Sequence, residues 1–348
     1  MAQSYSNIHP VNEILSQFAS EASKNLDAQL IAPDLFENIQ LNQGMKSGTI
    51  LIENNSNFMG TELDLLRAPG SSRARQGTFD FSSTTYQASA YGIESSIPTE
   101  TLEDSQWPVE MLQREVRKNT RSVMLAREQS AANLLFTPAN WTGYTSTLSA
   151  YAVGVNTDAT GTQWGTTGAE PLTDLQAISD TVRQNAFGMD GPMQTLVLGY
   201  RAFLALQRNP EMRGYLGTVA QGLSSGSRLM QESEVVSVLK SLFSFVDVKI
   251  GKARVNNANP GQTQTQAQIW TDDSMWLGVL KSQDGAQVST SGNVRTSPAA
   301  VVSLTHGGLM SGAYDSLDKT RKNVWCEHVY QDRIIVPQFG YLVSDLLA

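Results

Sequence analysis

The chain reads as an α+β protein whose strands do not all fold onto their own body, and three observations carry that reading. Residues 46–100 form a long two-stranded excursion with almost nothing of its own to bury. The next stretch, 105–136, reads as one long helix. From about residue 173 the pattern alternates short helices and strands, as a compact mixed domain does. An isolated two-stranded ribbon is marginal in water. The excursion therefore needs a surface to lie on, and a second copy of the chain is the simplest supplier. An assembly protein is expected before any catalytic motif is weighed.

The totals agree with large polar contact surfaces. The 348 residues give a soft prior of about two domains. Apolar content is 40% and charged content 17%, the latter below the usual quarter. The net charge of -8 excludes an electrostatic nucleic-acid binder as a whole, so any DNA contact is local. Cys326 is the only cysteine, which rules out an intrachain disulfide and fits a reducing compartment. Met1-Ala2-Gln3-Ser4 has no secretory character, and no segment approaches the ~18 apolar residues of a membrane span. A soluble chain made in the cytoplasm is expected, with no membrane partner.

Each element has a local reason. Val11, Ile14, Leu15 and Phe18 sit at helical spacing in an N-terminal arm, and a short helix or turn is expected near Pro33. Gly48–Glu53 is rich in β-branched residues, and Thr78–Ser82, continued by Thr84–Ile93, reads as the returning strand. Between them, Ala68-Pro69-Gly70-Ser71-Ser72 is a turn, and the tip carries Arg67, Arg73 and Arg75. Those arginines suit carboxylates on a neighbouring subunit. The long helix opens with Pro108 and Glu110, both favourable in a first turn. Val109, Leu112, Val116, Val123, Ala131 and Leu134 give its buried stripe, and Arg114, Arg117, Lys118 and Arg121 cluster on a second face. That face is either simply solvated or a basic strip turned to packaged polyanion. Residues 136–170 form a Thr-, Gly- and Asn-rich connection with Trp141 and Trp164, suggesting a domain boundary. A helix from Thr173 carries Leu175, Ile178 and Val182 and stops at Phe187-Gly188. Then come a strand at Thr195–Leu198, a helix at Tyr200–Gln207 and a helix at Ser233–Phe243 with Val236, Leu239, Leu242 and Phe243. Strands follow at Val246–Ile250, within Gln266–Leu280, at Ala299–Leu304, at Asn323–Tyr330, at Arg333–Val336 and at Tyr341–Leu347.

Catalytic motifs are sparse. Gly222-Leu223-Ser224-Ser225-Gly226 matches the nucleophile elbow of serine hydrolases, with Asp272 or Asp273 and then His306 in the right order for a triad. The elbow needs a buried strand before it, and Ala220-Gln221 does not supply one. Ser224 is kept as the alternative from the enzyme class. Cys326 and His328 share one strand face but lack a second pair at metal spacing, so packing is expected of them. His9 stands alone in the arm, and Gly251-Lys252 lacks the upstream glycine of a phosphate loop. No catalytic residue, metal or cofactor is expected.

Beyond these motifs, the order of parts resembles the major capsid protein of tailed double-stranded DNA bacteriophages, whose fold is shared with encapsulins and the herpesvirus capsid floor. The resemblance covers nearly the whole chain. It rests on Gln163-Trp164 with Glu170-Pro171-Leu172-Thr173-Asp174-Leu175, and on Thr195-Leu196-Val197-Leu198-Gly199-Tyr200 with Leu204 and Asn209-Pro210. Val324-Trp325 through Ile334-Ile335-Val336-Pro337 to Tyr341-Leu342-Val343 completes it. It implies an N-arm and start of the peripheral domain over 1–45 and an E-loop over 46–100 lying on an adjacent subunit. A peripheral domain with a spine helix over 101–165, an axial domain over 166–320 and peripheral closing strands over 321–348 follow. The implied role is a structural, non-enzymatic subunit that self-assembles as hexamers and pentamers into an icosahedral shell around phage DNA. Implied partners are a separate scaffolding protein, a portal, the packaged double-stranded DNA by non-specific contact and, in some members, a decoration protein. The place is the virion capsid, assembled in the host bacterial cytoplasm. No lysine lies between Lys46 and Lys118, so an E-loop isopeptide cross-link is not expected and cohesion is non-covalent. An encapsulin-type nanocompartment shell is the alternative within the same fold.

Overall fold

The computed structural model describes residues 12–27, 30–42, 44–53, 80–104, 106–186, 194–219, 231–258, 262–263, 265–281, 286–290, 292–296 and 299–348. The chain enters through α1 (Glu13–Asp27), capped by Asn12, whose side-chain oxygen accepts the Ile14 and Leu15 N–H groups. The short α2 (Ala32–Leu35) leads into β1 (Glu37–Gln40), a strand that the polar run Glu-Asn-Ile-Gln does not announce. The ribbon is β2 (Ser47–Glu53) and β3 (Phe81–Gln87). The chain breaks at Ala88 and resumes as β4 (Ser89–Pro98), followed by α3 (Thr99–Glu103) and the long α4 (Pro108–Phe136).

The rest alternates. β5 (Thr145–Thr147) and α5 (Leu148–Gly154) lie within the expected connection, and α6 (Pro171–Asn185) follows it. Next come β6 (Gln194–Gly199), α7 (Tyr200–Arg208), α8 (Pro210–Val219) and α9 (Glu232–Phe243). β7 (Asp247–Gly251), the hairpin of β8 (Arg254–Asn256) and β9 (Gln266–Gln268), β10 (Ser274–Val279), β11 (Gln287–Val288) and β12 (Val294–Thr296) lead to the final strands. These are β13 (Val301–Thr305), β14 (Met310–Asp315), β15 (Arg321–Ile334) and β16 (Gly340–Ser344).

Three sheets and the separate β8–β9 hairpin organise these strands. In the first, β15 is central: β14 and β13 pair along one edge, β4 along the other, and β1 adds outside β13. β15 is one 14-residue strand where two runs were expected. The polar pair Gln331-Asp332 reads as a break, yet pairing with Leu304 and Ser303 carries the strand through it. The second sheet runs β5-β16-β10-β6-β7. The closing strand β16, expected beside the other C-terminal strands, thus pairs with β10. Both central strands, β6 and β10, are buried along their whole length. Leu196, Leu198, Met275 and Leu277 meet α6, α7 and α9 on one face, whereas Val197, Trp276 and Leu342 meet α4 and α2 on the other.

The third sheet, β11-β12-β2-β3, changes the reading of the ribbon. Its base is not bare: β12 runs parallel beside β2, and Ile50, Ile52 and Tyr86 are buried with Val294, Val302 and Val329. The returning segment also divides. β3 stays with β2, but β4 crosses to β15, so the second half of the expected ribbon belongs to the first sheet. The chain covers its own ribbon base, leaving the uncovered-ribbon expectation to the tip, residues 54–79, which lie outside the described residues.

Helix α4 ties the first two sheets together. Its N-terminal half packs Val116 with Ile97, Val324 and Ala19, and its C-terminal half packs Ala131, Ala132 and Leu135 with Trp141, Trp270 and Trp276. The buried face is Val116, Asn119, Thr120, Val123, Met124, Arg127, Glu128, Ala131, Ala132 and Leu135. Val109 is instead 64% exposed, and Leu112 and Leu134 are only half-buried. The first turn extends beyond the core, and polar residues occupy four buried positions, so an apolar stripe alone misplaces the face. In α9, likewise, Val235 and Leu239 are buried, whereas Leu242 is exposed.

Candidate functional site

The chemistry here is on surfaces. The tip arginines Arg67, Arg73 and Arg75 lie outside the described residues, as does the expected helix stop at Phe187-Gly188. The second predicted group is brought together: Arg114, Arg117, Lys118 and Arg121 are all exposed on α4. Three- and four-residue steps place them on one face. Lys118 pairs with Glu115 at 3.3 Å, and the Arg117 guanidinium sits 4.8 Å from the centre of the Phe18 ring of α1. The strip is part solvated face and part cover for the arm helix.

Its surroundings were not legible beforehand. Helix α1 packs against both α4 and β14, covering that side of the first sheet. On the opposite side β4 carries Tyr91 and Ile93, directly opposite His328 and Cys326 of β15. Cys326 faces α4, since its Sγ lies 3.7 Å from Thr120 Oγ1, so Ile93 and Tyr91 lie on the α4 face. They remain 41% and 43% exposed, an apolar shelf on the strand that packs against α4. Just before α4, Glu100, Glu103 and Asp104 are exposed, and Trp107 and Val109 are each 64% exposed. The run Thr-Glu-Thr-Leu-Glu-Asp carried that charge signal in the sequence.

Further along α4 lies a buried polar seam. Glu128 is fully buried and accepts the Ile31 N–H at 3.1 Å, the Ala32 N–H at 2.8 Å and the Trp270 Nε1–H at 2.6 Å. It clasps the arm, the long helix and the strand region before β10 at one point. Burial pushes its carboxyl above the usual range, and the three hydrogen bonds oppose that. Arg127 donates to Ser303 Oγ at 3.2 Å and lies over the Tyr330 ring. Burial and the neighbouring Arg127 charge hold His328 down to about 4, and burial pushes the Cys326 thiol up to about 11. A neutral imidazole and a protonated thiol on a covered face are packing groups, as expected. Among the described residues no cluster of three or more His, Cys, Asp or Glu can hold a metal.

The hydrolase alternative gains no assembled site. Ser224 lies outside the described residues. Asp272 pairs with Arg201 at 3.4 Å, and Asp273 accepts the Leu347 N–H, both just before β10 of the second sheet. His306 sits beyond the end of β13 in the first sheet, its Nε2 accepting the Gly44 N–H. A concavity of about 410 Å³ beside α7 is lined by Trp164, Thr166, Arg201, Leu204, Arg208 and Pro210 among others, with neither a carboxylate nor a histidine to act as base.

Comparison with known proteins places the fold. No family model matches the chain. Its fold matches a crystal structure of a phage-related protein from Bordetella bronchiseptica, with a TM-score of 0.65 at 20% identity, covering 97% of this chain and 98% of that one. It also matches the capsid structure of cyanophage P-SCSP1u, with a TM-score of 0.52 at 12% identity over 92% and 89% of the two chains. A virus-like particle from Pyrococcus furiosus gives 0.52 at 8% identity over 96% and 100%. The fold is therefore that of phage capsid structures. In sequence, the chain is 23% identical over 203 residues to a protein named major capsid protein from Pseudomonas phage JBD67. That similarity spans 57% of each protein.

Proposed function

We propose that this chain is the major capsid subunit of a tailed double-stranded DNA phage, a structural protein that self-assembles into an icosahedral shell. The observation that carries the reading is the capsid fold, matched along nearly the full chain rather than in one domain. The named similarity to a phage major capsid protein favours the phage over the nanocompartment shell. In this proposal the ribbon tip with Arg67, Arg73 and Arg75 lies over an adjacent subunit, the first sheet with α4 forms the peripheral part, and the second sheet with α6–α9 forms the axial part gathered at fivefold and sixfold centres. Modest interfaces suffice, because a closed shell multiplies them. Cohesion is non-covalent, and a scaffolding protein, a portal and the packaged DNA complete the assembly.

The test is electron microscopy of the chain expressed with the neighbouring genes of its source genome. Closed particles with DNA, portal and tail support the proposal. Particles enclosing an enzyme support the nanocompartment, and a compact monomer under all conditions overturns both.

A further inference from the structure

Two exposed surfaces of this chain complement one another in charge and in apolar character. The first is the α4 strip, Arg114, Arg117, Lys118 and Arg121, with the shelf of Tyr91 and Ile93 on β4, the strand that packs against the same helix. Arg114 and Arg121 make no ion pair among the described residues. The second is the α3–α4 corner, with the carboxylates of Glu100, Glu103 and Asp104 next to the exposed Trp107 and Val109. None of those three carboxylates has an ion pair among the described residues either. Within one chain a stiff helix holds the surfaces apart. Arg114 to Arg121 begin about 9 Å and end about 20 Å along α4 from Pro108, at ~1.5 Å per residue.

We infer that the α3–α4 corner of one copy docks on the α4 strip and β4 shelf of the next, with Trp107 and Val109 covering Tyr91 and Ile93 and the carboxylates meeting the guanidinium groups. The contact joins two different patches, so it runs head to tail and either closes into a ring or propagates. It rests on the shell reading and names a surface for it. A second copy fits the strip better than a polyanion does. Phosphates have no use for a half-exposed tyrosine and isoleucine, Arg117 is already engaged by Phe18, and a chain of net charge -8 repels DNA overall. The complementary corner is present in equal number on every copy.

The test uses the full chain, with self-association followed by sedimentation at low and high salt and particles counted by microscopy. R114E/R121E and E100K/E103K should each weaken self-association about tenfold or more, because like charges then face each other. Combining the four changes should restore it to within about threefold, since opposite charges face again with the signs exchanged. All four positions are exposed, so the thermal transition should be retained; should a double variant lose it, the singles R121E and E103K are read in the same way. Both doubles associating like the wild type, or a four-fold variant without recovery, overturns the inference. So does a wild type that shows no self-association at low salt. Loss of duplex-DNA retention by R114E/R121E with unchanged self-association makes the strip a polyanion face instead and equally overturns it. Salt-sensitive association that never yields closed particles upholds this contact while defeating the shell reading.

Discussion

Glu128 and His328 occupy neighbouring parts of one buried seam and behave oppositely. Glu128 has every acceptor used: two backbone N–H groups at the start of α2 and the Trp270 indole converge on it. Glu128→Ala leaves three buried donors unpaired at once and should cost about 3–5 kcal/mol in chemical denaturation, Glu128→Gln clearly less because one acceptor survives. His328 instead has a buried Nδ1 with no hydrogen-bond partner, a position that suits only the neutral ring. Its folded value of about 4 lies below the ordinary 6.5, so the unfolded chain binds the proton more readily once the pH drops below about 6.5. Stability therefore falls as pH is lowered from about 6.5 toward about 4, by about 2 kcal/mol at about pH 5. His328→Leu in the free subunit should flatten that part of the pH dependence of the denaturation midpoint. An unchanged slope would show that other groups carry it.

At the scale of elements, regular secondary structure was legible wherever apolar periodicity and burial coincide. The helix carrying Leu175, Ile178 and Val182 and the strand at Thr195–Leu198 are where the residues placed them, and those three side chains and Leu196, Val197 and Leu198 are all buried. Reading failed where buried positions are polar. Asn119, Thr120, Arg127 and Glu128 hide the true inner face of α4, and Gln331-Asp332 conceals the continuity of β15. The connection 136–170 looked like a boundary because of its composition, yet Trp141 and Trp164 are buried and their indoles donate to Leu135 O and to Asp174 Oδ2. The basic residues of the surface strip were legible by spacing, whereas the shelf on β4 depends on that strand crossing to β15, a long-range pairing that local pattern does not encode. The third sheet is another such pairing. Gly48 of β2 sits where a Cβ would lie 2.5 Å from Gly292 O and 3.0 Å from the Tyr86 ring, while Tyr86 Oη donates to that same carbonyl at 2.6 Å. Gly48→Ala must push β2 away from the β11–β12 turn, so a loss of about 1–3 kcal/mol is expected. Limited proteolysis should then cut the ribbon base more readily while the second sheet stays protected.

For the molecule as a whole, the proposed shell role assigns fold and assembly to separable parts of the ribbon. The base is held by this chain itself, through β12 and through burial of Ile50, Ile52 and Tyr86. The connection between Glu53 and Asp80 carries Arg67, Arg73 and Arg75 and lies outside the described residues. Replacing residues 54–79 by a short Asn-Gly turn should therefore leave the subunit folded. Closing a shorter loop costs about 1–2 kcal/mol less conformational entropy, so the melting temperature should hold or rise slightly. Shell formation should fail, because the segment proposed to overlie a neighbour is gone. Calorimetry on the shortened chain and microscopy of the particles it forms read the two outcomes independently. A stable subunit that still builds normal shells removes the lap-over role from the tip and leaves cohesion to the described surfaces, the α4 strip first among them. A subunit that unfolds shows instead that the tip packs on its own body, and the division between a self-sufficient base and a shared tip does not hold.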